Sequence, residues 1–393
     1  MQISKRLQQL NPSATIAMTE KARELKAQGK DVISLSIGEP DFDTPDFIKQ
    51  AANKAMEEGY NSYSPVPGYL DLREAICEKF KRDNDLTYSP NQIVVSTGAK
   101  HSIYNVFQTI LNPGDEVIIP APYWVSYVDM AQLAGGVSKI INTTIENDFK
   151  ITPEQLEKAI GEKTKAFIFS SPCNPSGSVY TRQELEALAE VFAKHKEVII
   201  LSDEIYEHIC YGQRPVSIAS IESVYDQTVT INGLSKSFAM TGWRIGYLGA
   251  PEAIAKGVSK LQGQITSGTN CIAQRAAITA CKANPKEIQF MVDAFSKRRD
   301  LVLKMVAEIP GFKCNEPKGA FYLFPDVSAC LGKTYQGVEV KDSDDLAMYL
   351  LEKANVATVG GVSFGSPGCL RISYATSEDK LIEAFARIKA ALS

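Results

Sequence analysis

Short runs of β-branched and apolar residues alternate with helical patterns along most of this chain, and this alternation limits its possible folds more than any other feature. The apolar runs are bounded by turn residues and therefore predict strands. The predicted strands cover residues 93–97, 116–119, 166–170, 197–201 and 228–231. Helical patterns at 182–194 and 253–262 lie between or after them. This order predicts an α/β fold with a mainly parallel sheet covered by helices.

The last third of the chain has a different character. A long charged helix is predicted over 286–308, followed by strands at 312–314, 320–324 and 370–375 and helices at 344–353 and 377–391. This mixture predicts a smaller α+β domain, completed by an N-terminal helix at 19–28 and a strand at 32–37. The expected division is an N-terminal arm with part of the small domain at 1–46, a large domain at 47–283 and a C-terminal small domain at 284–393.

Composition excludes several classes of function. The chain has 393 residues, a net charge of -4 and a pI near 5.7, without a long Lys/Arg run, so a nucleic-acid partner is not expected. No apolar run approaches the roughly 20 residues of a membrane helix, and the N-terminus lacks a signal-peptide core, so we expect a cytoplasmic protein. The 8 cysteines form no CxxC pair and the 3 histidines are not grouped with them, so no metal site is expected.

Three predicted strands end in polar residues that could perform chemistry together. They lead to Asn174, to Asp203 and Tyr206, and to Lys236, respectively. Open parallel sheets bind ligands at the carboxyl ends of their strands, so these four side chains are expected to converge. Burial there would lower the pKa of the Lys236 amine and prepare it for Schiff-base formation with an aldehyde. Arg244 follows eight residues later and offers a guanidinium suited to a phosphate.

An aldehyde cofactor with a pyridine ring, a phenolic oxygen and a phosphate would use all of these groups. Asp203 could keep the ring nitrogen protonated, so that the ring draws electrons from a carbanion. At about 3 Å and an effective dielectric of about 20, that pair is worth about 5 kcal/mol before desolvation. Asn174 and Tyr206 could hydrogen-bond the phenolic oxygen. The strand-to-helix junction Gly98-Ala99-Lys100 offers backbone N–H groups to the phosphate.

Each of these residues also has a plain structural interpretation. Asn174-Pro175 is a common turn pair, Asp203 could cap a helix, and Tyr206 could be an ordinary core residue. Lys236 could be a solvated loop lysine and Arg244 a structural arginine. For Asn174, Asp203 and Tyr206 taken singly, the plain alternative is the more frequent one, but the combination with Lys236 and Arg244 favours the cofactor.

Four stretches together resemble the class I, fold type I pyridoxal phosphate aminotransferases. They are SPCNPSG at 171–177, SDEIYEH at 202–208, NGLSKSFAMTGWRIGY at 232–247 and RISY at 371–374. The similarity runs from about Pro12 to the C-terminus. The segments PSATIAMTEKA and GEPDFDTP are similar to the bacterial branch that contains aspartate and aspartate/prephenate aminotransferases. The resemblance implies a seven-stranded, mainly parallel sheet, a smaller α+β domain, pyridoxal 5'-phosphate as cofactor and a homodimer with shared active sites.

The resemblance also implies a role for each candidate residue. Lys236 would hold the cofactor as a Schiff base and, once substrate displaces it, move the proton between the substrate Cα and the cofactor. Asp203 would pair with the ring nitrogen. The other expected cofactor contacts are Asn174 and Tyr206 on the phenolic oxygen, Trp124 on the ring face, Gly98, Ala99, Lys100, Ser235 and Arg244 around the phosphate, and Tyr63 from a partner subunit.

Substrate recognition is implied in the same way. Arg371 would bind the substrate α-carboxylate with two hydrogen bonds, with a backbone contact from Gly38 and with Asn174 and Trp124 nearby. Animal-type aspartate enzymes add an arginine from the partner subunit, but the matching stretch 262–270 contains none.

Another cation must therefore recognise an acidic side chain. In the bacterial branch this role resembles Lys100, assisted by Ser13 and Thr15. A lysine in the first turn opposes the helix dipole, which favours a functional role for Lys100. The hypothesis is a ping-pong transfer of the amino group of L-aspartate to 2-oxoglutarate, giving oxaloacetate and L-glutamate, with prephenate as a further substrate.

Rival functions use parts of the same constellation. An aromatic or alanine aminotransferase, a C–S lyase or a decarboxylase would keep the cofactor contacts. A non-catalytic, pyridoxal phosphate-binding regulatory module is the alternative from another class, although no DNA-binding domain is expected ahead of the fold. A dinucleotide-binding oxidoreductase is disfavoured because no GxGxxG follows an early strand.

Two positions depart from the family pattern. Gly233 stands where some relatives carry a phosphate-binding serine, so that contact is not expected here. Cys173 stands where asparagine is common, and we interpret it as a buried neutral substitution, with a reactive thiol as the alternative.

Overall fold

The computed structural model describes residues 3–8, 10 and 14–393, apart from the side chain of Ala14. Within these residues, the central sheet has seven strands. In spatial order they are Ile93–Ser96, Gly246–Gly249, Thr228–Gly233, Ile199–Asp203, Thr164–Ser170, Glu116–Ala121 and Val137–Asn142. All neighbouring strands are parallel except at Gly246–Gly249, which is antiparallel to both of its neighbours. The predicted α/β fold with a mainly parallel sheet is confirmed.

Buried apolar residues explain why these segments form the middle of the sheet. The residues of Thr228–Gly233 are all buried, as are the residues of Gly246–Gly249, and six of the seven in Thr164–Ser170 are. Strands buried on both faces are typical of a sheet with helices on each side. The helices in the part of the chain that contains this sheet are Asp46–Glu57, Leu70–Asn84, Ala99–Ile110, Ser126–Leu133, Pro153–Ala159, Arg182–Phe192, Glu252–Ile265 and Cys271–Lys282.

The remaining elements form a second, smaller group around short strands. A three-stranded antiparallel sheet contains Tyr322–Leu323, Leu370–Ser373 and Val359–Gly360, and a hairpin joins Lys333–Tyr335 to Val338–Val340. Ile33–Ser34 pairs in parallel with Val356–Ala357, which attaches the N-terminal segment to the C-terminal elements. The other helices are Lys5–Gln8, Ala14–Ala27, Gln289–Val306, Ser343–Ala354 and Glu378–Ala391. The domain boundaries after residues 46 and 283 stay a prediction.

The four predicted strands of this region are all shorter than expected, and the one at 370–375 ends at Ser373. The strand at 32–37 is reduced to Ile33–Ser34, since the Ser36 carbonyl accepts a hydrogen bond from Arg371 instead of a strand partner. The strand at 320–324 is only Tyr322–Leu323, because Ala320 has a left-handed backbone with φ of 58°. The strand at 312–314 is an isolated bridge between Lys313 and Asp326.

The helices of the described chain contain no segment with the length and apolar character needed to span a membrane.

Candidate active site

A cavity of about 360 Å³ lies at the carboxyl ends of the central parallel strands. Twelve residues expected from the sequence line it: Thr15, Gly38, Ala99, Lys100, Trp124, Asn174, Asp203, Tyr206, Ser235, Lys236, Arg244 and Arg371. Gly98 lies directly behind the guanidinium of Arg244. Tyr63 is 99% exposed and does not line the cavity, and Ser13 lies outside the described residues. The structure therefore brings together most of the predicted constellation.

Asp203 is a buried carboxylate at the end of the strand Ile199–Asp203. The Tyr127 hydroxyl donates to its Oδ2 at 2.7 Å, and the Ile205 N–H donates to its Oδ1 at 3.3 Å. Burial raises the pKa of Asp203 to about 6, although these hydrogen bonds and the charge of Lys236 oppose the rise. A carboxylate with this pKa is mostly ionised at neutral pH and is available to a cationic ligand.

Lys236 extends into the cavity from the loop after Thr228–Gly233. Burial lowers the pKa of its amine to about 8, against the opposing charge of Glu39. Its Nζ donates to the Gly38 carbonyl at 2.6 Å, so the catalytic candidate contacts the loop expected to bind the substrate. About a tenth of such an amine is unprotonated at pH 7, far more than of an ordinary lysine, and this fraction can act as a nucleophile or base.

Arg371 is a buried cation at 2% exposure, and no acidic side chain of the described residues forms an ion pair with it. It donates to Asn174 Oδ1 at 3.1 Å and to the Ser36 carbonyl at 2.7 Å, while its Nε has no hydrogen-bond partner. The guanidinium lies 4.7 Å from the ring centroid of Tyr322 and 5.1 Å from that of Phe364. A buried cation without a counterion is a strong site for a ligand carboxylate.

The helix Ala99–Ile110 begins at the opposite end of the cavity. Its N-cap, Gly98, has no side chain to cap the first N–H groups, and its φ of 89° requires glycine. A Cβ at Gly246 would lie 2.1 Å from the Ala99 nitrogen, so only glycine lets the strand approach the helix this closely. Arg244 is exposed, and its guanidinium donates to the Thr241 carbonyl at 2.8 Å and to the Thr97 carbonyl at 3.4 Å. This end of the cavity is suited to an anion.

Lys100 lies beside Trp124 at the cavity wall. Its Nζ is 4.8 Å from the centroid of the Trp124 ring, which is a cation–π contact. Burial lowers the pKa of Lys100, and the charge of Arg244 lowers it further, whereas Asp129 raises it. The ammonium faces the same cavity as Arg371 and Thr15, so a bound molecule can meet two cations.

Sequence reasoning missed two tyrosines that support the site. Tyr127 holds Asp203, and the hydroxyl of Tyr322 lies 2.8 Å from that of Tyr206. Tyr127 follows Trp124 by three residues, and its N–H donates to the Trp124 carbonyl at 3.0 Å where the helix Ser126–Leu133 begins, so this short spacing could have placed both at the site. No comparable signal marks Tyr322, because it comes from a different part of the fold.

The two departures from the family pattern have structural explanations. A Cβ at Gly233 would lie 2.9 Å from the Ile245 carbonyl oxygen, so glycine is required by the packing of the adjacent strand. Cys173 is buried and does not line the main cavity, and burial raises the pKa of its thiol. The thiol is therefore neutral at physiological pH, in agreement with the interpretation of a buried substitution.

Glu204 follows Asp203 in sequence and points away from the cavity. It accepts hydrogen bonds from the hydroxyls of Ser202 at 2.9 Å and Ser217 at 2.6 Å. Burial raises the pKa of Glu204 to about 7, with a further contribution from the charge of Glu207.

This raised pKa predicts a pH dependence of stability. Folded Glu204 binds a proton that the unfolded chain releases above its ordinary pKa, so its contribution to the free energy of unfolding falls as pH rises from about 4.5 to 7. Between pH 5 and 7, we expect the free energy of unfolding of the cofactor-free protein to fall by about 2 kcal/mol more than that of the Glu204→Gln variant. Urea unfolding of both proteins at the two pH values measures this difference, and equal losses would contradict the assignment.

The residues of the cavity fit the cofactor expected from the sequence. Asp203 is a carboxylate suited to a pyridine nitrogen, Lys236 is an amine suited to an aldehyde, and the start of Ala99–Ile110 with Arg244 is suited to a phosphate. The unpartnered Nε of Arg371 shows that the substrate end also has unused hydrogen-bonding capacity.

Comparison with known proteins agrees with this geometry. A family model described as aminotransferase class I and II matches residues 30–388. The aspartate/prephenate aminotransferase of Cereibacter sphaeroides is 50% identical over 99% of this chain and 98% of its own length. The aspartate aminotransferase of Bacillus subtilis is 49% identical with the same coverage.

Solved structures show the same relationship. The aspartate aminotransferase from Rhizobium meliloti superposes with a TM-score of 0.96 at 42% identity, covering 100% of this chain and 99% of that one. The aspartate aminotransferase from Thermus thermophilus with maleate has a TM-score of 0.94 at 41% identity and full coverage of both chains. The chain therefore belongs to the class I and II aminotransferases, which use pyridoxal 5'-phosphate as their cofactor.

Proposed function

We propose that this aminotransferase transfers the amino group of L-aspartate to 2-oxoglutarate, giving oxaloacetate and L-glutamate. The observation that carries the substrate assignment is that two cations, Arg371 and Lys100, line the cavity in addition to Lys236 and Arg244, which are assigned to the cofactor. Aspartate, glutamate and their oxo acids each carry two carboxylates, so a site with two cations matches their charge. The relatives named aspartate aminotransferase, at 49 to 50% identity, support the same substrate.

The proposed cofactor contacts follow from the donor set of the cavity. Asp203 would pair with the ring nitrogen, Asn174 and Tyr206 would hydrogen-bond the phenolic oxygen, and Trp124 would cover the ring face. The proposed phosphate contacts are Gly98, Ala99, Lys100, Ser235 and Arg244. When bound, pyridoxal phosphate supplies the electron-withdrawing ring that stabilises negative charge at the substrate Cα.

The protein's own residues would then bind and orient the substrate and move its proton. Arg371 holds the α-carboxylate with its guanidinium, which fixes the position of Cα relative to Lys236. The Lys236 amine, with its pKa lowered to about 8, accepts a proton from Cα and delivers it during the second half of the transfer. Gly38 contacts the substrate through its backbone. These roles predict that the protonation state of Lys236 limits activity on the acidic side of neutral pH.

A spectroscopic assay tests the proposed reaction. The purified protein should carry a visible absorption band that fades when L-aspartate is added, with oxaloacetate released, and returns when 2-oxoglutarate is added. Release of carbon dioxide, or of a thiol from a sulfur-containing amino acid, without a lasting loss of the band would favour the decarboxylase or C–S lyase alternative, because these reactions return the cofactor to its starting form. A protein without any band, even after addition of pyridoxal phosphate, would contradict the proposal.

Replacement of Lys100 tests the assignment of aspartate. We expect Lys100→Ala to lower kcat/KM for L-aspartate by about 30-fold, close to 2 kcal/mol, because one substrate carboxylate loses its cation. Activity with an aromatic amino acid, which has no second carboxylate, should stay within about twofold. Lys139→Ala is the matched control, because Lys139 lies on the outer strand Val137–Asn142 and pairs with Glu116. A loss of less than twofold for aspartate would refute the role of Lys100.

Prephenate is a second candidate acceptor. It is itself a dicarboxylate with a 2-oxo acid group, so it presents the same two charges to Arg371 and Lys100. The Cereibacter sphaeroides relative, which is named aspartate/prephenate aminotransferase, supports this candidate. Replacing 2-oxoglutarate with prephenate in the spectroscopic assay decides it, because an acceptor restores the band and a non-substrate does not.

A homodimer with shared active sites is part of the proposal. Tyr63 is almost fully exposed, and Arg244, a proposed phosphate ligand, is also exposed in the single chain. A second cleft of about 480 Å³ lies against Arg244, Thr97 and Thr269 and could receive Tyr63 of a partner. Sedimentation equilibrium should give about twice the chain mass of 43.0 kDa. A monomeric active enzyme would contradict this part of the proposal.

We place the reaction in the cytoplasm. All 8 cysteines are free thiols, and 4 of them are only partly buried. Unpaired thiols in this number are typical of a reducing compartment.

A further inference from the structure

A buried group of charged side chains lies on the side of the Asp203–Tyr206 turn that faces away from the cavity. It contains Lys79 and Asp83 of the helix Leu70–Asn84 together with Glu207 and His208, and we name these four residues the Lys79 cluster. Their side chains are between 1% and 5% exposed. Charged side chains are rarely buried to this extent unless they are paired.

The cluster joins the helix to the turn through short contacts. Lys79 Nζ contacts Glu207 Oε1 and lies 3.6 Å from Asp83 Oδ2. His208 Nε2 lies 3.2 Å from Glu207 Oε1 and 3.5 Å from Asp83 Oδ2, so the imidazole bridges two carboxylates. The neighbouring Asn84 accepts a hydrogen bond from Lys79 at 3.2 Å and donates to Glu207 Oε2 at 2.8 Å.

A metal ion is a poor occupant for this cluster. Asp83, Glu207 and His208 do place one possible ligand atom each within 4.8 Å of one another. However, the Lys79 ammonium already contacts Glu207, and Arg82 donates to both oxygens of Asp83 at 2.8 and 2.7 Å. A metal cation would be repelled by these groups, so Lys79 itself serves as the central cation.

The residues of this turn face two directions. Asp203 and Tyr206 face the cavity, whereas Glu204, Glu207 and His208 face the helix. Within the turn, the Glu207 N–H donates to the Glu204 carbonyl at 2.9 Å. This backbone hydrogen bond is local and does not attach the turn to the helix Leu70–Asn84. The turn is attached to the helix by the side chains that face the helix, and Lys79 is the cation at the centre of these contacts.

We propose that Lys79 is a positioning residue for the cofactor-binding pair Asp203 and Tyr206, acting through Glu207 and His208. This inference rests on the proposed function, because it assigns those two residues to the cofactor. Without Lys79, the buried Glu207 carboxylate loses its main counterion and must take up a proton or admit water. Either change displaces the turn, and small displacements of a preorganised site have large effects on its electrostatics.

Lys79→Met in the holoenzyme tests the inference. We expect the pH midpoint of the visible absorption band to shift by at least about half a unit, and the dissociation constant of pyridoxal phosphate to rise by about tenfold. The matched control is Lys81→Met on the same helix, because Lys81 also pairs with the residue four positions later but is exposed. The Lys81→Met variant should keep the wild-type pH midpoint and the wild-type dissociation constant.

A second variant keeps the test decisive if Lys79→Met folds poorly. Lys79→Met/Glu207→Gln removes both charges of the central pair, so it should restore the midpoint to within about 0.2 units of wild type. A lower unfolding temperature with an unchanged midpoint and dissociation constant would overturn the inference and show a purely structural cluster. A wild-type protein that lacks the band would instead refute the proposed function, so the two failures are distinguishable.

Discussion

Replacing Lys236 with alanine should lower kcat for transamination by about 10⁴-fold or more, the largest effect expected for any single substitution in this protein. The amine of Lys236 is the only lysine amine in the described cavity besides that of Lys100, which lies over Trp124. Burial lowers the pKa of Lys236 to about 8, so the substitution removes the site's one well-placed base. Stopped-flow absorbance with L-aspartate measures the loss directly.

Cofactor binding and stability of the Lys236→Ala protein serve as controls, because they show whether the variant is folded. Lys236→Ala should still bind pyridoxal phosphate through the proposed phosphate contacts, but without the visible band of the wild-type protein. Its unfolding temperature without cofactor should not fall, because alanine removes a charge from a buried position. Retention of more than about 1% of wild-type kcat would exclude Lys236 as the proton-transferring group.

Replacing Arg371 with leucine should lower kcat/KM for L-aspartate by about 10³-fold, close to 4 kcal/mol. The guanidinium is buried without an acidic partner in the described chain, so its unsatisfied charge is reserved for a ligand. Arg371→Lys should recover part of this loss, since a lysine keeps the charge but cannot form two parallel hydrogen bonds. Steady-state kinetics with both variants measure the difference.

Stability separates this interpretation from a structural role. If Arg371 binds a ligand, the free energy of unfolding of the cofactor-free Arg371→Leu protein should lie within about 1 kcal/mol of the wild-type value, because the variant loses an unpaired buried charge. A loss of several kcal/mol with only a modest kinetic effect would show that its hydrogen bonds to Asn174 and Ser36 hold the fold instead.

The parts of the molecule that follow from local pattern were predicted well. The carboxyl ends of parallel strands lie at one edge of the sheet. The position of Asn174, Asp203, Tyr206 and Lys236 after such strands was therefore sufficient to predict that they lie together. The helix at Ala99–Ile110 was also expected, because glycine marks its start and its apolar residues repeat with helical spacing.

Other features depend on tertiary contacts that no local pattern contains. The antiparallel direction of the strand Gly246–Gly249 depends on how the chain returns to the sheet, which the residues of the strand do not indicate. Val137–Asn142 was missed because, as an outer strand with exposed positions, it lacks a continuous buried run. Tyr322 reaches Tyr206 across 116 positions of sequence, a distance at which spacing predicts nothing. The Lys79 cluster likewise joins residues that are far apart in the chain.

The close packing of Gly246 against Ala99 has a consequence for protein engineering. Because a single carbon atom at position 246 would collide with the start of the helix, mutant libraries that include this position would mostly sample proteins with a damaged phosphate end. Thr15, Ile16 and Lys100 also line the cavity, and because they are partly or largely exposed, their side chains have more room to vary. Altered substrate preference is therefore best sought there, with the glycine left unchanged.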